Sequence, residues 1–402
     1  MRSATTLLAV LLLACAEPPC PPGDPTEPHA GAGFALVSSD YSSTAIGLLD
    51  ADGQLLTESF VDSGSVAAGL VAALSGDVVL PTGTTGPCRL TLVDRLNTDV
   101  VTTLDLCAGG IVSQLDLGGA FGANPQDVLV LPDGLALVSR YERNERAAPD
   151  SLDRGNDVVL VSLSPPEVRA RFDLSPLDDG DALARPTRMV RLEAGSQSRV
   201  LVGLARLSRN FETVGAGAIG VLDVESGSVE PLVFPGTASC DTVVPVPDSS
   251  RRAVVQCSGR IFSTEEQRRD SVGVFLVELT DSGDVDRTAE YRASMNPGRP
   301  VYDTGAVALG GTRVLMVAKG DLLADVPDRV GVLDLETNAD TPLFEAGSAF
   351  VIGSGATDGE QLLLPDAHRG AVRRFTLPEL TERGPVVTAA CRGLPPREVR
   401  RL

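Results

Sequence analysis

The chain repeats one short plan seven times: an apolar strand, a tight turn and a second strand. The copies read IGLLDADGQLL (46–56), LTLVDRLNTDVV (90–101), VVLVSLSPPEV (158–168), IGVLDVESGSV (219–229), VGVFLVELTDSGDV (272–285), VGVLDLETNAD (330–340) and AVRRFTLPEL (371–380). They fall roughly 40 to 70 residues apart, a period that belongs to arrays of stacked supersecondary units. Six of the seven are preceded by a second hairpin. PQDVLVLPDGLALVS (125–139) shows it best, with Pro-Asp-Gly turning the chain between two strands. AGLVAALSGDVVL (68–80), PTRMVRLEAGSQSRVLVGL (186–204), CDTVVPVPDSSRRAVVQC (240–257), GAVALGGTRVLMVA (305–318) and AFVIGSGATDGEQLLL (349–364) follow the same plan.

Two hairpins per repeat make a four-stranded unit. Short strands of nearly continuous apolar character are buried on both faces, and a small sheet achieves that only between two neighbours like itself. The outermost strand of each unit should be more polar, and TESFVD (57–62) and VRARFDL (168–174) are. The expected fold is therefore all-β: a single seven-bladed β-propeller of four-stranded antiparallel blades over residues 31–402. A β-helix or two sandwiches are the rival architectures. Blade one starts at its second strand, GFALVSSD (33–40), and lacks an inner one. The final residues PREVRRL (396–402) line up with the inner strand PTRMVRL (186–192). The C-terminal strand should then complete blade one and leave no open sheet edge. The turn grammar resembles that of the bacterial YVTN and WD40-like propeller proteins. The resemblance is one of fold, since neither a Trp-Asp dipeptide nor a YVTN tetrapeptide occurs.

Composition narrows the partners. With no Trp and 4% aromatics, the core must be built from Val, Leu, Ile and Ala. A net charge of −20 argues against nucleic acid, whose phosphates need a basic surface. All but one of the 34 basic residues are Arg, Lys319 being the exception, which reads as codon bias.

Met1-Arg2-Ser3 precedes an apolar run from Ala4 to Ala14 that is too short to span a bilayer. It ends in Leu12-Leu13-Ala14-Cys15, which resembles the lipobox of bacterial lipoproteins. The resemblance implies a signal peptide over 1–14, lipidation of Cys15 and attachment to the membrane through that residue. Ala16 in the following position implies sorting to the outer membrane. Ala14-Cys15-Ala16 as an ordinary A-x-A cleavage site is the rival reading. Residues 15–30 hold six prolines and are expected to form an extended tether.

Without Cys15, six cysteines remain, an even number for an oxidising compartment. Cys240 and Cys257 are equidistant from the 247–250 turn, and Cys88 and Cys107 from the turn near Asn97. Opposite positions of a hairpin can reach disulfide distance. Cys20 and Cys391 pair by elimination.

Chemical signatures are scarce. His29 lies in the tether and His368 in a turn, so no His cluster exists to bind a metal or move protons. Loop length is more informative. The connections between second and third strands are long in blades three to six, at 140–156, 205–217, 258–270 and 319–329. Long insertions on one rim suggest a binding face. On that face Asp150, Asp153 and Asp157 could converge with Asp178, Asp179 and Asp181, a weak candidate for calcium or an Arg-rich partner. Arg143, Arg146 and Arg154 in the same loop could instead neutralise them. The favoured expectation is a lipid-anchored propeller that binds a protein partner on the long-loop face, with no catalytic residues. The alternative is a lactonase-like hydrolase using a carboxylate-bound metal.

Overall fold

The computed structural model describes residues 20–402 apart from 84, 85, 87, 96, 120, 149, 150, 261 and 262. Cys15, the leader and Asp150 thus lie outside the described residues. Seven four-stranded antiparallel sheets form the ring of a β-propeller. In six blades the strands run from inside to outside in chain order. Blade three shows the pattern: Pro125–Val130, Leu135–Arg143, Gly155–Leu163 and Pro166–Asp173. Blade one is the exception. Its inner strand is the last of the chain, Pro396–Arg401, paired antiparallel to Ala32–Ser39 with Leu36 opposite Val399 and Val37 opposite Glu398.

Burial follows position in the blade. The third strands are almost wholly enclosed, as in Gly273–Leu279, whereas outer strands such as Thr381–Val387 are largely exposed. Apolar side chains of adjacent blades interlock between the sheets. Leu137, Val158, Met189, Val202 and Leu222 make one such layer between blades three and four. The Gly in the repeated I/V-G-V-L run has a packing reason at Gly331. A Cβ there would collide with the Tyr302 hydroxyl, so a side chain at 331 would displace that buried ring.

Polar side chains carry the remaining inter-blade contacts. Ser39 Oγ donates to Gly76 O and Ser139 Oγ to Thr187 O, both at 2.7 Å. Asp127 accepts from Met189 N at 2.7 Å, and Gln256 from Ala306 N at 3.1 Å. Each joins one blade to the next, and the N–H groups of Met189 and Ala306 would otherwise be buried without a partner.

The three expected disulfides are present: Cys88–Cys107, Cys240–Cys257 and Cys20–Cys391. They mark an extracytoplasmic protein, and no helix among the described residues is long and apolar enough to cross a membrane. The Cys20 bridge has company. Gly23 N donates to Asp62 at 2.5 Å, His29 N to Leu106 O at 2.6 Å and Gly110 N to Pro25 O at 2.7 Å. The His29 ring stands edge-on to Phe60 at 5.4 Å. Residues 20 to 30, the described part of the expected tether, are therefore fastened along blades one and two.

Candidate functional site

The two ends of the ring differ. Within each blade the second-to-third connection opens on the same end as the link to the next blade. Those connections are long in blades three to six (144–154, 205–215, 258–272 and 319–328) and short in blades one, two and seven (40–43, 95–99 and 367–370). The longest holds a seven-residue helix, Glu265–Ser271, started by a Thr264 capping box. The opposite end carries only hairpin turns and short loops.

Exposed apolar side chains follow the same division. Of thirteen exposed large hydrophobic residues among the described ones, ten lie on connections of the long-loop end. They include Tyr41, Leu152, Phe211, Leu322, Leu323 and Phe350, with Leu323 fully exposed. The other three, Leu56, Val233 and Val387, are on outer strands, and none is on a hairpin turn.

The acidic patch expected between blades three and four has a different character. Asp157 is fully buried. Arg140 grips it through two bonds of 2.9 Å and Arg171 through one of 2.6 Å. Asp178 is held by Arg143, by Asn156 Nδ2 at 3.1 Å and by Ala184 N at 2.7 Å. Asp179 accepts from Ala216 N at 2.8 Å. Among the described carboxylates of the patch, Asp153, Asp179 and Asp181 stand in solvent. Asp157 and Asp178 are thus latches within and between blades, with both oxygens taken by internal donors, and Asp179 is tied through one oxygen. Among the described residues, no group of three or more His, Cys, Asp or Glu is gathered to hold a metal ion. His368 is an exposed turn residue.

Arg185 at this junction has no sequence signature. It is fully buried between the rings of Tyr141 and Phe211, at 4.6 and 4.5 Å, and its Nη1 meets Glu142 at 2.6 Å. A guanidinium stacked between rings and paired at one end holds the blade-four loop in place.

The axis is also charged. Glu398 meets Arg188 at 2.9 Å and Arg400 at 2.8 Å, and accepts from Leu80 N at 3.1 Å. Burial works to raise the Glu398 carboxyl, but Arg188 and Arg400 hold it below the usual glutamate range. Asp127 nearby accepts from the N–H groups of Thr82, Val128 and Met189. Toward the hairpin end, the inner strands and adjoining residues of all seven blades enclose a cavity of about 430 Å³. It is mostly apolar, and its charged lining residues are Arg191, Arg400 and Arg401.

A smaller cavity of about 220 Å³ opens at the long-loop end, between the inner parts of blades six, seven and one. Lys319 and Arg397 line it, with Tyr41 and Phe350 beside them. The Lys319 ammonium donates to Ile352 O at 2.5 Å and lies 3.6 Å from Asp328. Arg397 donates to Ser39 O at 3.1 Å, and its guanidinium lies 5.2 Å from the Tyr41 ring centre.

No family model matches the chain. No curated protein matches it either. Solved structures with the same fold do. A hypothetical selenium-binding protein from Sulfolobus tokodaii is 11% identical, with 94% of this chain and 97% of that one covered and a TM-score of 0.57. The β-propeller domain of Cps50 (Swd1) from Myceliophteria thermophila is 10% identical, covering 88% and 100%, with a TM-score of 0.55. A candidate 6-phosphogluconolactonase from Bacteroides uniformis is 12% identical, covering 93% and 100%, with a TM-score of 0.54. At these identities the likeness is one of fold, and fold alone does not carry activity.

Proposed function

We propose that this protein is a cell-envelope binding module, anchored through a lipid on Cys15, whose long-loop face docks a protein partner. The observation that supports it best is the segregation of exposed apolar side chains. A soluble surface scatters such residues singly; the gathering on one face of ten of the thirteen among the described residues is what an interaction surface requires. Loops on a rigid ring can vary without disturbing the core, which is why binding residues concentrate there. The three disulfides and the sheet closure hold that ring together in an oxidising compartment.

A metal-dependent hydrolase would need carboxylates open to a cation near the axis. Asp127 and Glu398 are engaged by backbone N–H groups and by arginine, so this geometry favours the docking module.

Two experiments test the reading. Cys15→Ser should release the protein from the membrane fraction, and mass analysis of the N-terminal peptide should find acyl chains on the wild type. A Leu322→Glu/Leu323→Glu variant should lose the partner recovered from membranes, while Asp133→Arg on the hairpin face keeps it. Loss with Asp133→Arg and retention with the Leu pair would place the docking face on the wrong side.

A further inference from the structure

We infer that the small cavity lined by Lys319 and Arg397 is a carboxylate-binding notch that receives an acidic group of a docked peptide.

The first support is charge. In a chain of net charge −20, two cations line one cavity of about 220 Å³. Arg397 makes no ion pair among the described residues. Its Nε is used on Ser39 O, and its remaining N–H groups form a fork suited to a carboxylate. Lys319 keeps donors as well. One proton goes to Ile352 O, and Asp328 stands 3.6 Å away as the ion-pair partner of the ammonium, which leaves a donor for a ligand. Asp328 is in turn occupied by four backbone N–H groups, those of Gly320, Phe350, Val351 and Ile352, at 2.8 to 3.0 Å. It is a fixed counter-charge that fastens the loop, with little lone-pair capacity left for the ammonium. Burial, and then the neighbouring Arg397, depress the Lys319 ammonium against the pull of Asp328 and Asp303. An incoming carboxylate would relieve that.

The second support is the rim. Tyr41 and Phe350 are 69% and 52% exposed, and both have left-handed backbone, φ 67° and 57°. Bulky residues rarely adopt that conformation, and it costs on the order of 1 kcal/mol or more. Here it is held by neighbouring structure: Ser39 Oγ accepts from Tyr41 N, and Asp328 accepts from Phe350 N. The result is two rings presented to solvent beside two cations.

The third support is size. About 220 Å³ is below the roughly 300–1,000 Å³ of sites that enclose a whole small molecule. It suits one carboxylate-bearing group, with the rest of the ligand lying over the adjoining loop. That loop, 319–328, begins at Lys319 and carries exposed Leu322 and Leu323. The notch therefore rests on the docking reading above and gives it an anchor. Lysine in place of the otherwise universal arginine fits a compact, three-donor ammonium in a narrow space.

The test uses three dye-labelled tetrapeptides on the whole protein: Gly-Ala-Leu-Phe with a free C-terminal carboxylate, its C-terminal amide, and the amide with Glu in place of Ala. At least one charged peptide should bind about tenfold or more tightly than the neutral amide, as a charge-assisted hydrogen bond requires. The free acid alone binding tightly would identify a chain terminus as the ligand, and the Glu peptide a side chain. Lys319→Gln should abolish the preference and Lys319→Arg should retain most of it. Because Lys319 is the only lysine, its acylation is a second readout on unmodified protein. The charged peptide should slow it about tenfold at saturation, even if a variant folds poorly. Equal binding of charged and neutral peptides, or Lys319 acylation unchanged by any of them, overturns the notch. Loss of partner capture in the Leu322→Glu/Leu323→Glu variant together with that result would leave the docking face standing and remove only the anchor.

Discussion

Glu398 and Arg188, 210 residues apart in sequence, meet at 2.9 Å on the axis of the ring. Glu398 belongs to the last strand of the chain and Arg188 to the inner strand of blade four, so the pair reaches across the channel. Both side chains are largely withdrawn from water. Removing one leaves the other, and Arg400, as buried charges without compensation. Glu398→Ala should therefore cost about 3–5 kcal/mol, measured by denaturant unfolding. A loss below about 1 kcal/mol would mean that the axis is wet enough to solvate both arginines.

Deleting 396–402 tests closure itself. The truncated protein would lose the inner strand of blade one, the buried Val399 and the Glu398 pairs. It would expose the edge of Ala32–Ser39. Aggregation or a large fall in Tm is expected in thermal unfolding monitored by circular dichroism. A truncated chain as stable as the whole would contradict the pairing.

Two carboxyls predict opposite responses to acid. Burial pushes Asp241 up to about 6, although the hydroxyls of Ser258 and Thr242 donate to it at 3.0 and 3.3 Å. Its folded value lies above the unfolded one, so its contribution is full below about 3.9 and is lost as pH rises to about 6. Asp241→Asn should raise stability at pH 7, by at most about 3 kcal/mol, and flatten that part of the profile. Glu398, held low by Arg188 and Arg400 against its burial, acts the other way. Its contribution is present above the usual glutamate value near 4.3 and is lost as pH falls through the folded value. Stability measured from pH 3 to 8, in wild type and Asp241→Asn, separates the two.

Non-reducing peptide mapping should recover Cys88–Cys107, Cys240–Cys257 and Cys20–Cys391 as linked pairs. A Cys20→Ser/Cys391→Ser variant should free the segment 20–31 to proteolysis while the ring stays folded. The hydrogen bonds from Gly23, His29 and Gly110 then fasten it alone. Intact protection of that segment would show that the bridge adds nothing to its docking.

The ring was legible because a blade is a local object. Each hairpin writes its strands and turn into adjacent residues, and the match of 396–402 to 186–192 located the missing strand. The cysteine pairs were readable for the same reason where they flank a turn. What failed was burial of charge. Asp157 at the start of a strand reads as a loop-edge acid, yet Arg140 and Arg171 on the flanking strands enclose it. A run of single residues cannot show that three charges share one sheet. The notch was hidden by dispersion, since Tyr41, Lys319, Phe350 and Arg397 come from four segments and meet only when the ring closes. Lys319 did carry a signal, as the one lysine among 34 basic residues. Composition alone attached no place to it.

The direct test of the docking face is site-specific photocrosslinking in intact envelopes. A photoreactive residue at position 323, on the blade-six loop, is compared with one at 133, on a hairpin turn of blade three. The account predicts a discrete crosslinked protein from position 323 and none from 133. A product from 133 with none from 323 would contradict it.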